Sequence, residues 1–466
     1  MTQVWRAVLG PVGLVIIGRY LSPAEQGFYY TFGSILALQM FVELGLSTVI
    51  IQFASHEWAF LNRKADCSIT GDDRALSRLA SLTRFSLKWY CVCGLLVIFG
   101  IGTTGLLFFS WDQGLDTSWM VPWILLCVLA GLTLMLTPVL ALIEGCNQVE
   151  SVYSYRFFEA SISTIVGWVA LLAGWKLYAL GVSAFVRLSC ILIFLFWKHG
   201  VFVRQLLKHK SESCISWRSE IWPFQRRMVI TWFSGYFVFS LFNPVMFHYF
   251  GPVVAGQMGM TLVLASAVLW VSLPFVSARN PQFGMLIAKR RYDELDALFK
   301  RLLTATMIFS TAAASGIFFI IYMVKTWGIF LSDRFLSLTT VAVFLASFVL
   351  QAFVSSLAVY MRAHKVEPMM IPSLVCAIMV GFSTWYLGRR YGPLGAAWGY
   401  LAIGVFFSVP SCLYVYHKLI ASRTRDAKKY FPAPIQKLAT EASSMQCGCW
   451  VREINEPQTV IDQVKI

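Results

Sequence analysis

Charged side chains are scarce in this sequence of 466 residues. Only 13% of them are Asp, Glu, Lys or Arg, about half the share found in an ordinary soluble domain. Hydrophobic residues make up 58% of the chain and aromatic residues 15%. This balance excludes an ordinary soluble domain and is typical of a membrane protein.

Several motifs of catalysis and processing are also missing. There is no nucleotide-binding loop and no nucleophile arrangement, so we expect no ATP hydrolysis and assign no catalytic residues and no cofactor. The eleven cysteines form no disulfide framework, and the pair Cys447 and Cys449 lacks the second ligand pair of a zinc site, so we expect no metal. The first apolar run has no basic leader, which argues against a cleavable signal, and its abrupt start suggests a helix that is longer in relatives.

Long apolar blocks fill most of the chain instead. Each has about 17 to 27 residues, enough to cross a hydrocarbon core of about 30 Å as a helix. The predicted spans are 4–20, 28–53, 88–110, 119–143, 153–175, 178–200, 228–248, 254–276, 302–324, 335–360, 368–387 and 393–417. A polar tail follows from residue 418.

The links between successive spans alternate in their content of basic residues, with many in the even-numbered links and few in the odd-numbered ones. With the residues at helix ends included, 29 Lys and Arg fall in the even-numbered links and the tail, 6 in the odd-numbered links, and Arg6, Arg156 and Arg187 inside spans. The positive-inside rule then places both termini in the cytoplasm. It also explains the net charge of +15 better than nucleic-acid binding does, so we expect no nucleic-acid partner.

The two halves of the sequence repeat. Tyr20, Pro23 and Gly27 align on Tyr249, Pro252 and Gly256 with a difference of 229 in residue number. Three later pairs follow in order: Leu76 with Leu295, Val149 with Val366, and Leu180 with Leu394, at differences of 219, 217 and 214.

Slowly falling differences indicate a duplication with small deletions. Because each copy has six crossings, the copies have the same orientation, as in transporters built from parallel repeats. We therefore predict an all-α polytopic membrane protein with about 12 transmembrane helices in two six-helix lobes. The predicted domains are an N-terminal lobe 1–207, a cytoplasmic linker 208–227, a C-terminal lobe 228–417 and a cytoplasmic tail 418–466.

One stretch carries a family resemblance. "GRYLSPAEQGFYYTFGSILALQMFVELGLSTVI", with Arg19, Pro23 and Gly27 around a turn and Glu43 and Gly45 beyond it, resembles the first two helices of polysaccharide transporters. These transporters flip lipid-linked O-antigen or exopolysaccharide repeat units and belong to the multidrug/oligosaccharidyl-lipid/polysaccharide exporter superfamily. "LIEGCNQVE" at 142–150 and the Leu-Gly-x-x-Ala at 180–184 also resemble that family, and the likeness covers residues 1 to about 417.

The resemblance implies a V-shaped pair of lobes in the bacterial inner membrane. The implied cargo is an undecaprenyl-pyrophosphate-linked oligosaccharide, moved from the cytoplasmic to the periplasmic leaflet by alternating access. The expected partners are this lipid-linked substrate, membrane lipids, a polysaccharide polymerase and a chain-length regulator, and the protein is expected to be a monomer.

Ionisable residues within spans are the candidate site. An arginine at a helix centre costs about 2.5–3.5 kcal/mol on insertion scales and normally faces a bundle interior or an aqueous cavity. Arg187, Arg156, Glu159 and Arg6 are therefore candidate cavity residues for a pyrophosphate-bearing cargo. Alternatively, Arg156 and Glu159 form an internal pair three residues apart, or Arg156 snorkels to the lipid headgroups.

Glu43 is the candidate for ion coupling. It lies in an otherwise apolar stretch, where it would accept a coupling proton or sodium ion or else pair with an arginine such as Arg6. We expect Arg19 to anchor the first helix at the periplasmic interface, with Pro23, Gly27 and Gly45 as structural motif positions.

Two other functions stay open. A cation-coupled multidrug exporter of the same superfamily would prefer acidic, arginine-poor cavities. A polytopic polymerase or glycosyltransferase would need a large periplasmic loop or clustered catalytic carboxylates, and the predicted periplasmic links are short with few acids. The arginines favour the flippase.

Overall fold

Helices account for nearly all of the structure, as apolar spans without outside hydrogen-bond partners require. The computed structural model describes residues 2–63, 69–110, 118–209, 217–364 and 369–430, without the side chains of residues 2–9, 63, 218, 219, 223, 224, 226–228, 230–233 and 422–430. Residues up to Cys412 form one compact unit and those from Leu413 a second. The predicted lobe and linker boundaries stay predictions, and most of the predicted tail, with Cys447 and Cys449, lies outside the described residues.

The helices of the first half are α1 Thr2–Tyr20, α2 Pro23–Leu36, α3 Gln39–Glu43, α4 Leu46–Trp58, α5 Asp73–Leu95, α6 Gly102–Ser110, α7 Met120–Gly145, α8 Val149–Leu172 and α9 Tyr178–Lys208. Those of the second half are α10 Trp222–Phe239, α11 Phe242–Ser272, α12 Pro274–Ser277, α13 Asn280–Ala288, α14 Tyr292–Thr326, α15 Leu338–Arg362, α16 Met370–Ile403 and α17 Val409–Tyr430. π-helical turns at Leu96–Ile101, Trp217–Ile221 and Gly404–Ser408 and a 3-10 turn at Ser332–Arg334 join some of them.

The described helices agree with the predicted spans. Seven are long and apolar enough to cross a membrane, and the bent series from α2 to α4 makes eight. Two of them, Ser234–Ala288 and Met370–Ala421, contain a break at Gly251 or Gly392, where φ is 78° or 64°. Each break separates two predicted spans, so the two broken helices account for four of the twelve predicted spans. The other five long candidates and the bent series account for six, and α1 and α8 account for the last two. The protein is thus an all-α, multi-pass membrane protein.

The second predicted span is not one continuous helix. Leu44 and Gly45 both have positive φ, 53° and 66°, and the helix axis bends by 43° between Glu43 and Leu46. Glycine accepts this backbone conformation at little cost, so Gly45 marks a break that apolar periodicity alone does not reveal. The prediction of an uninterrupted helix over 28–53 was therefore wrong.

The leucines that the repeat pairs, Leu76 and Leu295, both lie near the start of a long helix. Leu76 and Leu79 lie in α5, which continues through a π-helical turn into α6 as one candidate span, Asp73–Ser110, and Leu295 and Leu298 lie at the start of α14. Leu79 and Leu295 are fully buried. A short antiparallel hairpin, β1 Leu61–Arg63 with β2 Ile69–Gly71, precedes α5.

A matching pair of close contacts supports the duplication. A Cβ placed on Gly167 would lie 2.1 Å from the Ser183 hydroxyl oxygen, between α8 and α9. A Cβ placed on Gly399 would lie 1.9 Å from the Ser383 hydroxyl oxygen, between the two arms of α16. Both differences in residue number are 216, close to the 217 at Val149 and the 214 at Leu180 from the sequence, although Ser183 lies beyond Leu180. The same helix contact is therefore made in each half, with glycine and serine exchanged.

The repeated turn closes one end of the boundary between the halves. We call this boundary the seam; α2 packs along α11 there, and the end at Gly27 is the predicted periplasmic one. A Cβ on Gly27 would lie 1.9 Å from the Pro252 carbonyl oxygen, and a Cβ on Gly256 would lie 2.9 Å from Gly27 N and 3.2 Å from the Pro23 carbonyl oxygen. The two copies of the turn thus contact each other reciprocally, backbone against backbone.

Polar side chains reinforce this contact. Gln26 Nε2 donates to the Gly256 carbonyl at 2.8 Å. Arg334 donates to the Leu21 carbonyl at 2.7 Å and to Gln26 Oε1 at 3.3 Å. Desolvation lowers the pKa of Arg334 from its ordinary value, partly offset by Glu25. The closed end is therefore held by hydrogen bonds between the halves as well as by packing.

We expect Gly27→Ala to force the two turns apart. Overpacking of a close contact costs about 1–3 kcal/mol, and here the added methyl meets a backbone carbonyl that cannot swing aside. The midpoint of thermal unfolding of the purified protein in detergent should fall. Gly33→Ala is the matched control, because it lies in the same helix and a Cβ there meets nothing within 4 Å. Equal midpoints for the two variants would contradict the reciprocal contact.

Candidate functional site

A cavity of about 350 Å³ lies between α1, α2, α8, α9 and α11. We call it the first-half cavity. Its lining is Gly10, Gly13, Leu14, Ile17, Tyr29, Tyr30, Ala160, Ser163, Thr164, Trp168, Arg187, Val263 and Trp270. Glycines on α1 make room for two indoles: a Cβ on Gly13 would lie 3.3 Å from Trp168 Nε1, and one on Gly10 3.8 Å from the Trp270 ring. The cavity combines aromatic faces with hydroxyl groups.

Among the described residues that line this cavity, Arg187 is the charged one. Its side chain is 57% exposed, and its Nε lies 2.8 Å from Glu159 Oε1. Glu159, on the neighbouring α8, is only 14% exposed. A largely buried carboxylate thus holds a guanidinium that faces the cavity, and the charge of Arg187 is already partly neutralised.

Arg156 does not pair with Glu159. Its Nη2 lies 2.8 Å from Glu144 Oε2 at the end of α7, and the guanidinium also lies over the Tyr153 ring at 5.4 Å from the centroid. Because α8 packs against both α7 and α9, each charge finds its opposite on a neighbouring helix. The interpretation of an internal pair between Arg156 and Glu159 was therefore wrong.

A second cavity, of about 540 Å³, lies on the seam itself and is called the seam cavity. It adjoins the first-half cavity, since both are lined by Tyr30, Val263 and Trp270. Asn243 of the second half donates to the Ser34 hydroxyl of the first at 3.0 Å. Asn243 Oδ1 and the Tyr30 hydroxyl have no hydrogen-bond partner among the described residues. Buried polar groups of this kind favour a cavity that holds water or a polar ligand.

A third cavity, of about 270 Å³, lies within the second half between α10, α15, α16 and α17. This second-half cavity shares Val238 and Phe239 with the seam cavity. Its polar lining is Ser234, Gln351, Ser355, Arg362, Ser373, Cys376, Ser408 and Ser411. Among the described residues that line the three cavities, the charged ones are Arg187 and Arg362, and none is Asp or Glu.

The other predicted site residues lie elsewhere. Glu43 accepts a hydrogen bond from the Tyr90 hydroxyl at 2.8 Å, next to the break at Gly45. The Arg19 guanidinium lies over the Phe330 ring at 5.8 Å from the centroid, at the end of α1. Arg6 belongs to α1, but its side chain is not among those described, so its pairing with Glu43 stays a prediction.

Sequence reasoning did not find several lining residues. Asn243 and Arg362 carried a usable signal, since one is a lone amide in an apolar span and the other a basic residue at a span end. Trp168 and Trp270 carried none, because a tryptophan facing a cavity and one facing lipid look alike in sequence. Within the described ranges, no group of three or more His, Cys, Asp or Glu side chains could hold a metal ion.

The fold and the seam cavity define a class: helical membrane proteins with two like-oriented halves and polar space between them. No protein-family model and no curated protein matches the sequence. Solved structures do match. An inward-facing multidrug resistance MATE family transporter of the MOP superfamily matches with a TM-score of 0.59 at 12% identity, over 89% of this chain and 99% of that one.

Two further structures are similar. The lipid II flippase MurJ in an inward closed conformation matches with a TM-score of 0.61 at 14% identity, over 90% of this chain and 86% of that chain. A MOP superfamily transporter from Pyrococcus furiosus matches with a TM-score of 0.52 at 12% identity, over 90% of this chain and 94% of that chain. The chain therefore has the fold of MOP-superfamily transporters.

We expect Arg187 and Glu159 to be energetically coupled. Arg187→Ala leaves a nearly buried carboxylate without its partner, whereas Arg187→Ala combined with Glu159→Gln removes both charges. Because Arg187 is half exposed, we expect a coupling free energy of only about 1 kcal/mol in a double-mutant cycle of thermal unfolding. The exposed pair Arg291 and Glu294 is the control and should show almost none. Additive effects at both pairs would contradict the coupling.

Proposed function

We propose that this protein is a flippase for lipid-linked oligosaccharides. It moves a polyprenyl-pyrophosphate-linked repeat unit of a surface polysaccharide, either O-antigen or exopolysaccharide, from the cytoplasmic to the periplasmic leaflet of a bacterial inner membrane. The carrying observation is that the charged residues lining the described cavities, Arg187 and Arg362, are both arginines. An arginine stays protonated when buried, and its planar fork matches phosphate oxygens.

The neutral lining supports a sugar as the other part of the cargo. Each hydroxyl without a hydrogen-bond partner costs a few kcal/mol to place in an apolar medium, so a repeat unit needs a polar route. The seam cavity offers Asn243 Oδ1 and the Tyr30 hydroxyl, which have no hydrogen-bond partner within the described part of the chain. The rings of Trp168 and Trp270 add flat apolar surface for the faces of sugar rings.

The reciprocal contact of Gly27 with Gly256 fits one state of an alternating-access cycle. If that end is periplasmic, as the positive-inside rule predicts, the seam is closed toward the periplasm. The MATE family transporter and MurJ that share this fold are described as inward-facing and inward closed, respectively. Cargo would enter from the cytoplasmic leaflet in this state, and separation of the two turns would release it.

A cation-coupled multidrug exporter is the second candidate. The similarity in fold to a multidrug resistance transporter favours it. The cavity lining opposes it, because a cationic drug is best bound by carboxylates, and the described lining residues include none. The fold similarity to transporters also argues against a polymerase or glycosyltransferase.

Arg187→Ala should abolish surface polysaccharide while the protein remains inserted, because its cavity then loses the group that faces the pyrophosphate. Deletion of the gene should leave lipid-linked repeat units on the cytoplasmic leaflet. Both are measured by polymer immunoblotting and by the accessibility of the lipid-linked sugar to a lectin or glycosidase in membrane vesicles of defined orientation.

Arg291→Ala is the matched control, since this arginine belongs to an exposed ion pair away from the cavities. Normal polymer from Arg187→Ala would remove the cavity assignment. Loss of the repeat units themselves on gene deletion would indicate a synthetic enzyme, and unchanged polymer with lost drug resistance would indicate an exporter.

A further inference from the structure

The second-half cavity is polar in a place where polarity is costly. Side chains from four helical segments converge on it, including Ser234 from α10, Gln351 and Ser355 from α15 and Ser373 from α16. Its volume of about 270 Å³ exceeds that of a small packing defect, and a lobe of apolar helices gains nothing from placing so many hydroxyls at one point.

The hydrogen bonds of these groups run mostly within their own helices. The Ser373 hydroxyl donates to the Met370 carbonyl at 3.0 Å, and the Ser411 hydroxyl donates to the Ser408 carbonyl at 3.1 Å. Gln351 Nε2 donates to Ser355 on the same helix at 3.4 Å. These bonds do not tie helices together, and each serine oxygen keeps lone pairs with which it can accept a further bond.

The repeat shows that this polarity differs between the halves. At the difference of 216 that Gly167 and Ser383 set within these same helices, Arg156 corresponds to Pro372 and Glu159 corresponds to Val375. The first half therefore carries charged residues at two positions where the second half carries uncharged ones. Glu159 holds Arg187 at the first-half cavity, whereas Cys376 lines the second-half cavity and lies 3.0 Å from the Ser408 hydroxyl.

We propose that the second-half cavity is a monosaccharide subsite, which binds one pyranose ring of the cargo through its hydroxyls. Ser373, Ser411 and Gln351 supply hydrogen bonds to ring hydroxyls, and Arg362 at the end of α15 supplies a guanidinium fork at the mouth. The inference rests on the proposed function and adds that the two halves bind different parts of the cargo. The first half takes the charged pyrophosphate, and the second half takes a neutral part of the glycan.

The extended form of the cargo makes this arrangement possible. A lipid-linked repeat unit has its phosphates at one end and its sugars along its length, so different cavities can hold different parts of it. The seam cavity connects the two sites, since it shares lining residues with each. A drug-sized molecule would not occupy both ends of such a series.

Cys376 is a natural reporter of occupancy, because a ligand in the cavity must shield its thiol. The experiment compares alkylation of Cys376 by a small maleimide in membranes from cells that make the lipid-linked repeat unit and from cells blocked at its first sugar transfer. Peptide mass spectrometry of the full-length protein reads the rate at each cysteine. We expect Cys376 to react severalfold more slowly when the repeat unit is present, and the exposed Cys91 to react equally in both.

Ser373→Ala should reduce both this shielding and the rate of polymer appearance by about threefold to tenfold, the effect of one lost hydrogen bond. Ser189→Ala is the matched control, because that serine also bonds a carbonyl of its own helix but does not line any of the three cavities.

Equal alkylation of Cys376 in the two membranes would overturn the subsite. If gene deletion still trapped repeat units on the cytoplasmic leaflet, the proposed function would survive that result. If deletion trapped none, the proposed function would fail as well. Unchanged shielding of Cys376 in Ser373→Ala would also overturn the assignment, because the cargo would then shield the thiol without bonding to Ser373.

Discussion

The backbone contact between Gly27 and Gly256 is the constraint on which the arrangement of the halves depends. Each glycine occupies the same place in its repeat, and each touches the partner turn where a side chain would collide with main-chain atoms. This contact closes the seam at one end, so polar space between the halves is found along α2 and α11 beyond it. A pair of turns that is reciprocal and held by a few hydrogen bonds can also separate as a unit, which alternating access requires.

Charge is distributed unequally over the two halves. Arg156 and Arg187 each have a carboxylate from a neighbouring helix within 2.8 Å, so the first half carries its charges as pairs. Separating such a pair inside a lobe is costly, whereas exchanging Glu159 for a phosphate oxygen keeps the guanidinium of Arg187 satisfied. In the proposed flippase, Glu159 and the cargo would therefore compete for Arg187. In the second half, the proposed subsite would hold the cargo by weaker hydrogen bonds to hydroxyl groups.

The sequence predicted the spans and the repeat because hydrophobic length and residue spacing are local properties. It singled out Arg187, which lines the first-half cavity, because a charge within an apolar helix is unusual wherever that helix packs. It could not predict the ion-pair partners of the charged residues. Arg156 and Glu159 lie one turn apart in sequence, yet the packing of α7, α8 and α9 gives each a different counter-ion. The break at Leu44 and the convergence of serines on the second-half cavity also depend on tertiary packing, which periodicity does not encode.

A near-neutral route would suit the proposed flippase, which must release the cargo that it binds. Several free arginines would hold a pyrophosphate strongly, and strong binding to one state stabilises that state against the next. Because Glu159 can pair with Arg187 again, cargo binding would gain less free energy than binding to an unpaired guanidinium would. The same exchange of partners would lower the free-energy cost of release. The sugar hydroxyls, bound by many weak groups, then add selectivity without adding a deep energy minimum. If the proposed function holds, the buried carboxylate of Glu159 belongs to the cargo site as much as the arginine with which it pairs.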